Sequence, residues 1–254
     1  MSLVLVEDHG PVRHIVLNRP ETRNAFHHEL LAETIAALRA AGDDPAVRCV
    51  VWRGAGKVFS AGIDLATLQG LAQNPQTLFG FRRSWVEMGT VIEQMPKPVI
   101  AQLHGAALGG ALEASLACDL RVATTDTTLR FMETYHGVVP DGGGCARLPA
   151  LIGLGRAKEM IMASRPVSGL RAEAIGLVNY AVPPEELDAS VTALVADLLE
   201  CKRVAVGLAK QVLDHAARPN LSVALDEELL AQQACMASDD FRALAGERRP
   251  IASH

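Results

Sequence analysis

Residues 108–119 read LGGALEASLACD, a run that is small and apolar except for one carboxylate, Glu113. If a helix starts near Leu108, its first-turn N–H groups lack intrahelical acceptors and carry the positive end of the helix dipole. Gly110 has no side chain to shield its N–H, so an acyl oxygen can approach it. Glu113 follows three residues later and shares a similar face. One short element then offers an oxyanion donor beside a carboxylate. A second donor is available in VFSAGIDL, residues 58–65, where Gly62 lets the backbone bend close to a ligand and the N–H of Ile63 can face a pocket. RFMETYHGVVPDGGG, residues 130–144, adds Glu133 and Asp141 around a glycine-rich turn. Two carboxylates entering one pocket suit acid–base chemistry, with burial and mutual repulsion setting their proton affinities. Each piece also has an ordinary reading: Asp64 as a helix cap, Glu113 as a solvated first-turn acid, Glu133 and Asp141 as surface acids. His104 and His136, although near these segments, read as packing or surface residues.

Other chemistries find no support. Gly54-Ala55-Gly56-Lys57 resembles part of a phosphate-binding loop, but Val58 replaces the Ser or Thr that such a loop needs. The glycines at 142–144 and at 153 and 155 do not make a dinucleotide fingerprint. No HExxH or comparable ligand spacing points to a metal, and no GxSxG points to a serine nucleophile. The five cysteines are odd in number, scattered and never in a CxxC pair, which reads as reduced thiols rather than a disulfide framework. A net charge of −5, mixed in sign along the chain, offers no basic stripe for nucleic acid or for a membrane surface. No apolar stretch approaches the roughly 20 residues of a membrane span. MSLVLVEDHG has neither a charged n-region nor a long apolar h-region, so no export signal is expected and a cytoplasmic location is.

The elements that must carry these residues alternate. LVLVED and VRHIVL read as strands joined by a turn at His9-Gly10-Pro11, and Leu31, Ile35 and Leu38 recur at helical spacing before a stop at Gly42. RCVVWRG and PVIAQLHG read as buried strands, with a helix over 76–95 between them. LGGALEASLACD is expected as one helix over 108–119, followed by strands in DLRVATT and TLRF. From about residue 185 the pattern is helical throughout, over 187–200, 203–217 and 221–237. This cadence predicts an α/β arrangement with repeated crossovers. At 49% hydrophobic residues the chain can bury a sizeable core, and the helical end should pack on the first part or on a neighbouring subunit.

Five segments together resemble the crotonase superfamily, also called the enoyl-CoA hydratase/isomerase family. They are LNRPETRNA at 17–25, GKVFSAGIDL at 56–65, HGAALGGALEASLACD at 104–119, GVVPDGGGCARLP at 137–149 and LRAEAIGLVNYAVPPEEL at 170–187. They occur in order and at compatible spacing. The resemblance implies a crotonase-like spiral of repeated ββα units over residues 1–195. It also implies a helical region over 196–254 used for trimer assembly, often as a dimer of trimers. It implies that Ile63 and Gly110 supply the two backbone N–H groups that hold a thioester oxygen. Ala61, Asp64 and Leu65 would line the loop around coenzyme A, with Lys57 near its adenine or phosphates. Glu113 falls on the first catalytic glutamate, and Glu133, four residues before Gly137, on the second. Asp141 is a possible alternative acid for isomerisation. Met132 stands where hydratases of the family commonly have Pro, and after Asp239-Asp240-Phe241 the chain shortens to RALAGERRP. The expected activity is hydration of a 2-trans-enoyl-CoA, with coenzyme A as the substrate's handle and no metal or redox cofactor. A double-bond isomerase and a non-catalytic acyl-CoA-binding protein of the same fold are the alternatives.

Overall fold

The computed structural model describes residues 2–218 and 220–236. Strands β1 (Val4–His9) and β2 (Val12–Leu17) form a hairpin around Gly10, whose φ of 60° suits a residue without a Cβ. Helix α1 (His28–Asp43) leads to β3 (Cys49–Gly54), and α2 (Leu65–Gln73) and α3 (Leu78–Gln94) lead to β4 (Val99–Leu103). Next come β5 (Ala106–Leu108), α4 (Gly110–Ser115), β6 (Leu120–Thr124) and β7 (Thr128–Arg130). Helices α5 (Gly144–Ile152) and α6 (Leu154–Met162) precede β8 (Val167–Ser168), α7 (Gly169–Ile175) and β9 (Tyr180–Val182). The described chain ends in α8 (Leu187–Glu200), α9 (Arg203–Ala217) and α10 (Leu221–Met236).

Six strands make one sheet in the order β1-β2-β3-β4-β6-β9, antiparallel only in the first pair and parallel thereafter. A parallel sheet is covered on both faces, and its strands are therefore apolar at consecutive positions rather than alternate ones. In β3, Val50 and Trp52 join the main core with Leu31, Leu38 and Met88 of α1 and α3. Cys49 and Val51 point the other way and join Leu187, Val191 and Val195 of α8. The period of two along the strand thus serves two helical layers. A smaller sheet, β5-β7-β8, lies against the loop that follows β3: Ser60 N–H donates to Ala106 O (3.1 Å) and Leu108 N–H to Ser60 O (3.1 Å).

Most elements fall where the sequence pattern puts them, including α8, α9 and the start of α10. Three differ. The helix expected over 108–119 is shorter. Leu108 is spent on β5, Gly109 turns the chain with a φ of 51°, and the helix itself is only Gly110–Ser115. Helix α1 continues through Gly42 to Asp43. Residues 65–73 form α2, which Asp64 caps by accepting from Ala66 N–H at 2.9 Å. Residue 237 of the last expected helix and the shortened segment after Asp239 lie outside the described residues. Among those described, no helix is long and apolar enough to cross a membrane. The C-terminal helices return to the first part of the chain: Lys210 of α9 donates to Asp119 at 2.9 Å, and α10 packs on α5.

Candidate active site

The strand-to-strand bonds around Ser60 bring the 58–65 loop against the N-terminus of α4. A Cβ built on Gly62, whose φ is 89°, would lie 2.5 Å from Leu108 O and 3.7 Å from Gly110 N. Phe26 N–H donates to Gly62 O (2.7 Å) and Asp64 N–H to Phe26 O (2.8 Å), which fixes the peptides on either side of Ile63. Among the described residues, neither the Ile63 N–H nor the Gly110 N–H donates to an acceptor. Two unclaimed N–H groups on touching loops are what a developing oxyanion requires.

Across from them lies a group of carboxyls. Glu113 is 2% exposed, and its Oε2 accepts from Gly142 N–H (2.8 Å) and Gly144 N–H (2.9 Å). The glycine run therefore makes a nest for the carboxylate that the sequence places in α4. Glu133 is 8% exposed and reaches Gly109, where an added Cβ would meet its Oε1 at 2.9 Å. Asp141 Oδ2 lies 3.6 Å from Arg82 Nε. A fourth acid comes from α10: Glu228 accepts from Gly143 N–H (2.9 Å) through Oε2 and from Ala146 N–H (2.7 Å) through Oε1. On the other side of the turn, Arg147 donates to Gly142 O (3.0 Å) and pairs with Glu93 (2.8 Å). All three glycine N–H groups of 142–144 are thus committed to carboxylates.

Burial is the main cause that pushes all four acids up. Glu113 is raised well above the ordinary carboxylate range, by desolvation first and then by Glu133, Asp141 and Glu228. Glu133 is pushed up to about 7 by desolvation, partly offset by nearby backbone N–H groups. Asp141 reaches about 7 against the lowering effect of Arg82, and Glu228 about 7 against its amide donors and Arg147. An acid raised in the folded state holds its proton longer there than in the unfolded chain. Its stabilising contribution is fully present below about pH 4.5 and is lost as pH rises through about 7. For Glu228 that difference is on the order of 3 kcal/mol. Chemical denaturation at pH 5 and pH 8 should therefore show a smaller loss of stability in Glu228→Gln than in the parent chain. An unchanged difference between the two pH values would mean that this carboxyl does not titrate as described.

The remaining residues singled out by sequence are scattered in role. Asp64 caps α2 and pairs with Arg19 at 2.9 Å, so its carboxylate already has partners within the chain. Ala61 is tied by its N–H to Arg23 O (2.9 Å), while Lys57 and Leu65 are exposed on either side of the loop. Sequence reasoning missed Arg82, Trp85 and Glu228. Arg82 and Trp85 sit one turn apart on the buried face of α3, with Leu78, Phe81 and Met88. An arginine on such a stripe was the available signal. In α10 the buried residues are Glu228, Gln232 and Met236, whereas Val223 and Leu230 are exposed. There the polar residues face inward, and hydropathy points the wrong way.

The chain matches the Enoyl-CoA hydratase/isomerase family over residues 7–249. It is 34% identical over 238 residues to the crotonyl-CoA hydratase of Syntrophomonas wolfei, covering 93% of this chain and 91% of that protein. It is 32% identical to the short-chain-enoyl-CoA hydratase of Clostridium acetobutylicum, covering 94% and 92%. Its fold is similar to the crystal structure of an enoyl-CoA hydratase/isomerase from Xanthobacter autotrophicus, with a TM-score of 0.88 at 31% identity over 96% of this chain and 92% of that one.

Proposed function

The chain belongs to the enoyl-CoA hydratase/isomerase family, and on that premise we propose that it adds water across the double bond of a 2-trans-enoyl-CoA. The observation that carries this reading is the pairing of two buried carboxyls, Glu113 and Glu133, with the unclaimed N–H groups of Ile63 and Gly110. The thioester oxygen accepts from both N–H groups, and negative charge gathers on it as the α,β-unsaturated system takes up the nucleophile. One water sits between the two acids. Close carboxyls in a desolvated site share a proton, because mutual repulsion opposes ionising both. In the productive arrangement Glu113 takes a proton from the water as its oxygen attacks the β-carbon, and Glu133 delivers its proton to the α-carbon. Both carboxyls are raised, so the pair holds one proton near neutrality and can give it up. No metal takes part, and coenzyme A serves as handle, with Lys57, Ala61 and Leu65 nearest to it on the loop.

Asp141 favours a second reading. It is partly buried, raised to about 7 and close enough to Glu133 to influence it, as a second acid for moving a double bond would be. The exposed face Val204, Leu208 and Val212 of α9, at successive turns, suits assembly into a trimer. Purified protein given crotonyl-CoA should lose the enoyl thioester absorbance, and Glu133→Gln should slow that loss by roughly 10² to 10⁴. Turnover of 3-enoyl but not 2-enoyl thioesters would establish the isomerase instead. Tight binding of the ester without turnover of either would leave an acyl-CoA-binding protein.

A further inference from the structure

Seven buried side-chain nitrogen or oxygen atoms lack a hydrogen-bond partner among the described residues, and four of them meet on one wall of the candidate site. They are Arg82 Nε, Trp85 Nε1, Glu133 Oε2 and Asp141 Oδ2. In the proposed hydration the water held between the acids would answer Glu133. The other three have no part in the hydration chemistry. Arg82 is anchored by its other arm, which donates to Leu225 O on α10, so its Nε is held facing Asp141. The Trp85 indole lies flat against the catalytic loops. A Cβ on Gly110 would be 2.7 Å from Trp85 Cζ2, and one on Gly142 would be 2.3 Å from Nε1 and 3.3 Å from Glu113 Oε2. The unpartnered N–H is therefore near Glu113, the carboxyl that the hydratase reading places at the β-carbon, and the acyl chain beyond that carbon would run along it.

Arg82 Nε and Asp141 Oδ2 offset each other's charge at 3.6 Å but make no hydrogen bond, and a buried donor or acceptor without one is costly. Two donors and one acceptor are a poor lining for a plain alkyl chain. A second carboxylate on the substrate fits no better, since it would stand among Glu113, Glu133, Asp141 and Glu228. A neutral hydroxyl accepts from Arg82 or Trp85 and donates to Asp141, and so matches both kinds of atom. Building on the hydratase reading, we propose that Arg82, Trp85 and Asp141 form a polar acyl subsite that selects 2-enoyl-CoA esters carrying a hydroxyl one carbon beyond the double bond. The preference is for this substrate class over alkyl esters of equal length.

Two isosteric pairs test it. 4-Hydroxybut-2-enoyl-CoA and pent-2-enoyl-CoA differ by hydroxyl against methyl at the same place, and kcat/KM should favour the hydroxyl ester by about tenfold or more. Trp85→Phe keeps the ring and removes the N–H, and should reduce that ratio several-fold. The saturated esters 4-hydroxybutanoyl-CoA and pentanoyl-CoA cannot react, so calorimetric binding to the parent chain reads recognition without chemistry. A hydroxyl preference in binding with no turnover of either enoyl ester would keep the subsite and sink the hydratase reading. Equal or weaker binding of the hydroxyl ester would overturn the subsite whatever the turnover. So would tightest binding of glutaryl-CoA, which would assign this wall to a carboxylate.

Discussion

Glu113→Gln should lower kcat for hydration of crotonyl-CoA by on the order of 10³ to 10⁴, with little change in the fold. The carboxyl's Oε2 accepts from Gly142 and Gly144 N–H, and a glutamine carbonyl oxygen in that place accepts from both. The nest is kept, and what is lost is the ability to take a proton from water. Steady-state kinetics together with a thermal melt decide the matter. A variant that melts like the parent yet keeps more than a tenth of its kcat would remove Glu113 from the chemistry.

Gly62→Ala carries the second largest expected effect, through the backbone. At a φ of 89° a side chain is disfavoured by roughly 1–2 kcal/mol. The new Cβ would also meet Leu108 O at 2.5 Å, closer than nonbonded atoms approach. Relief requires the 58–65 loop and the start of α4 to separate. That separation pulls the Ile63 N–H away from the Gly110 N–H, and losing one oxyanion donor costs about 10² to 10³ in kcat. Neither carboxyl is touched. The variant should therefore lose rate while its pH dependence keeps the parent's shape. Activity within threefold of the parent would show that the two N–H groups do not act together.

Why Glu113 and the two loops were readable from sequence, while Arg82 and Glu228 were not, has a physical basis. A lone acid in a run of glycine and alanine contradicts the local hydropathy, and glycines at 62, 109 and 142–144 mark places where backbone approaches something closely. Strands β1 to β4 were readable because their apolar positions are consecutive or alternating over six residues or fewer. Helix α2 was missed although Leu68, Leu71 and Ala72 pack inward, because it is only nine residues long and Gly70 lies inside it. LGGALEASLACD was too generous as a single helix because pairing of Ala106–Leu108 with Thr128–Arg130 outweighs helix propensity there. The Arg82–Asp141 pairing spans 59 positions and that of Glu228 with Gly143 spans 85, so no local pattern announces either.

The clamp that Glu228 places on Gly143 and Ala146 also orders events during synthesis. The large sheet is complete once β9 has emerged at Val182, and by then both glutamates and the Ile63 and Gly110 N–H groups exist. The loop that aims Glu113 still waits for a helix that begins at Leu221. A chain released between these points would carry every proposed catalytic group on an assembled sheet, with the glycine turn held from one side only. Competence on this reading is conferred by a helix that leaves the ribosome well after the sheet is in place.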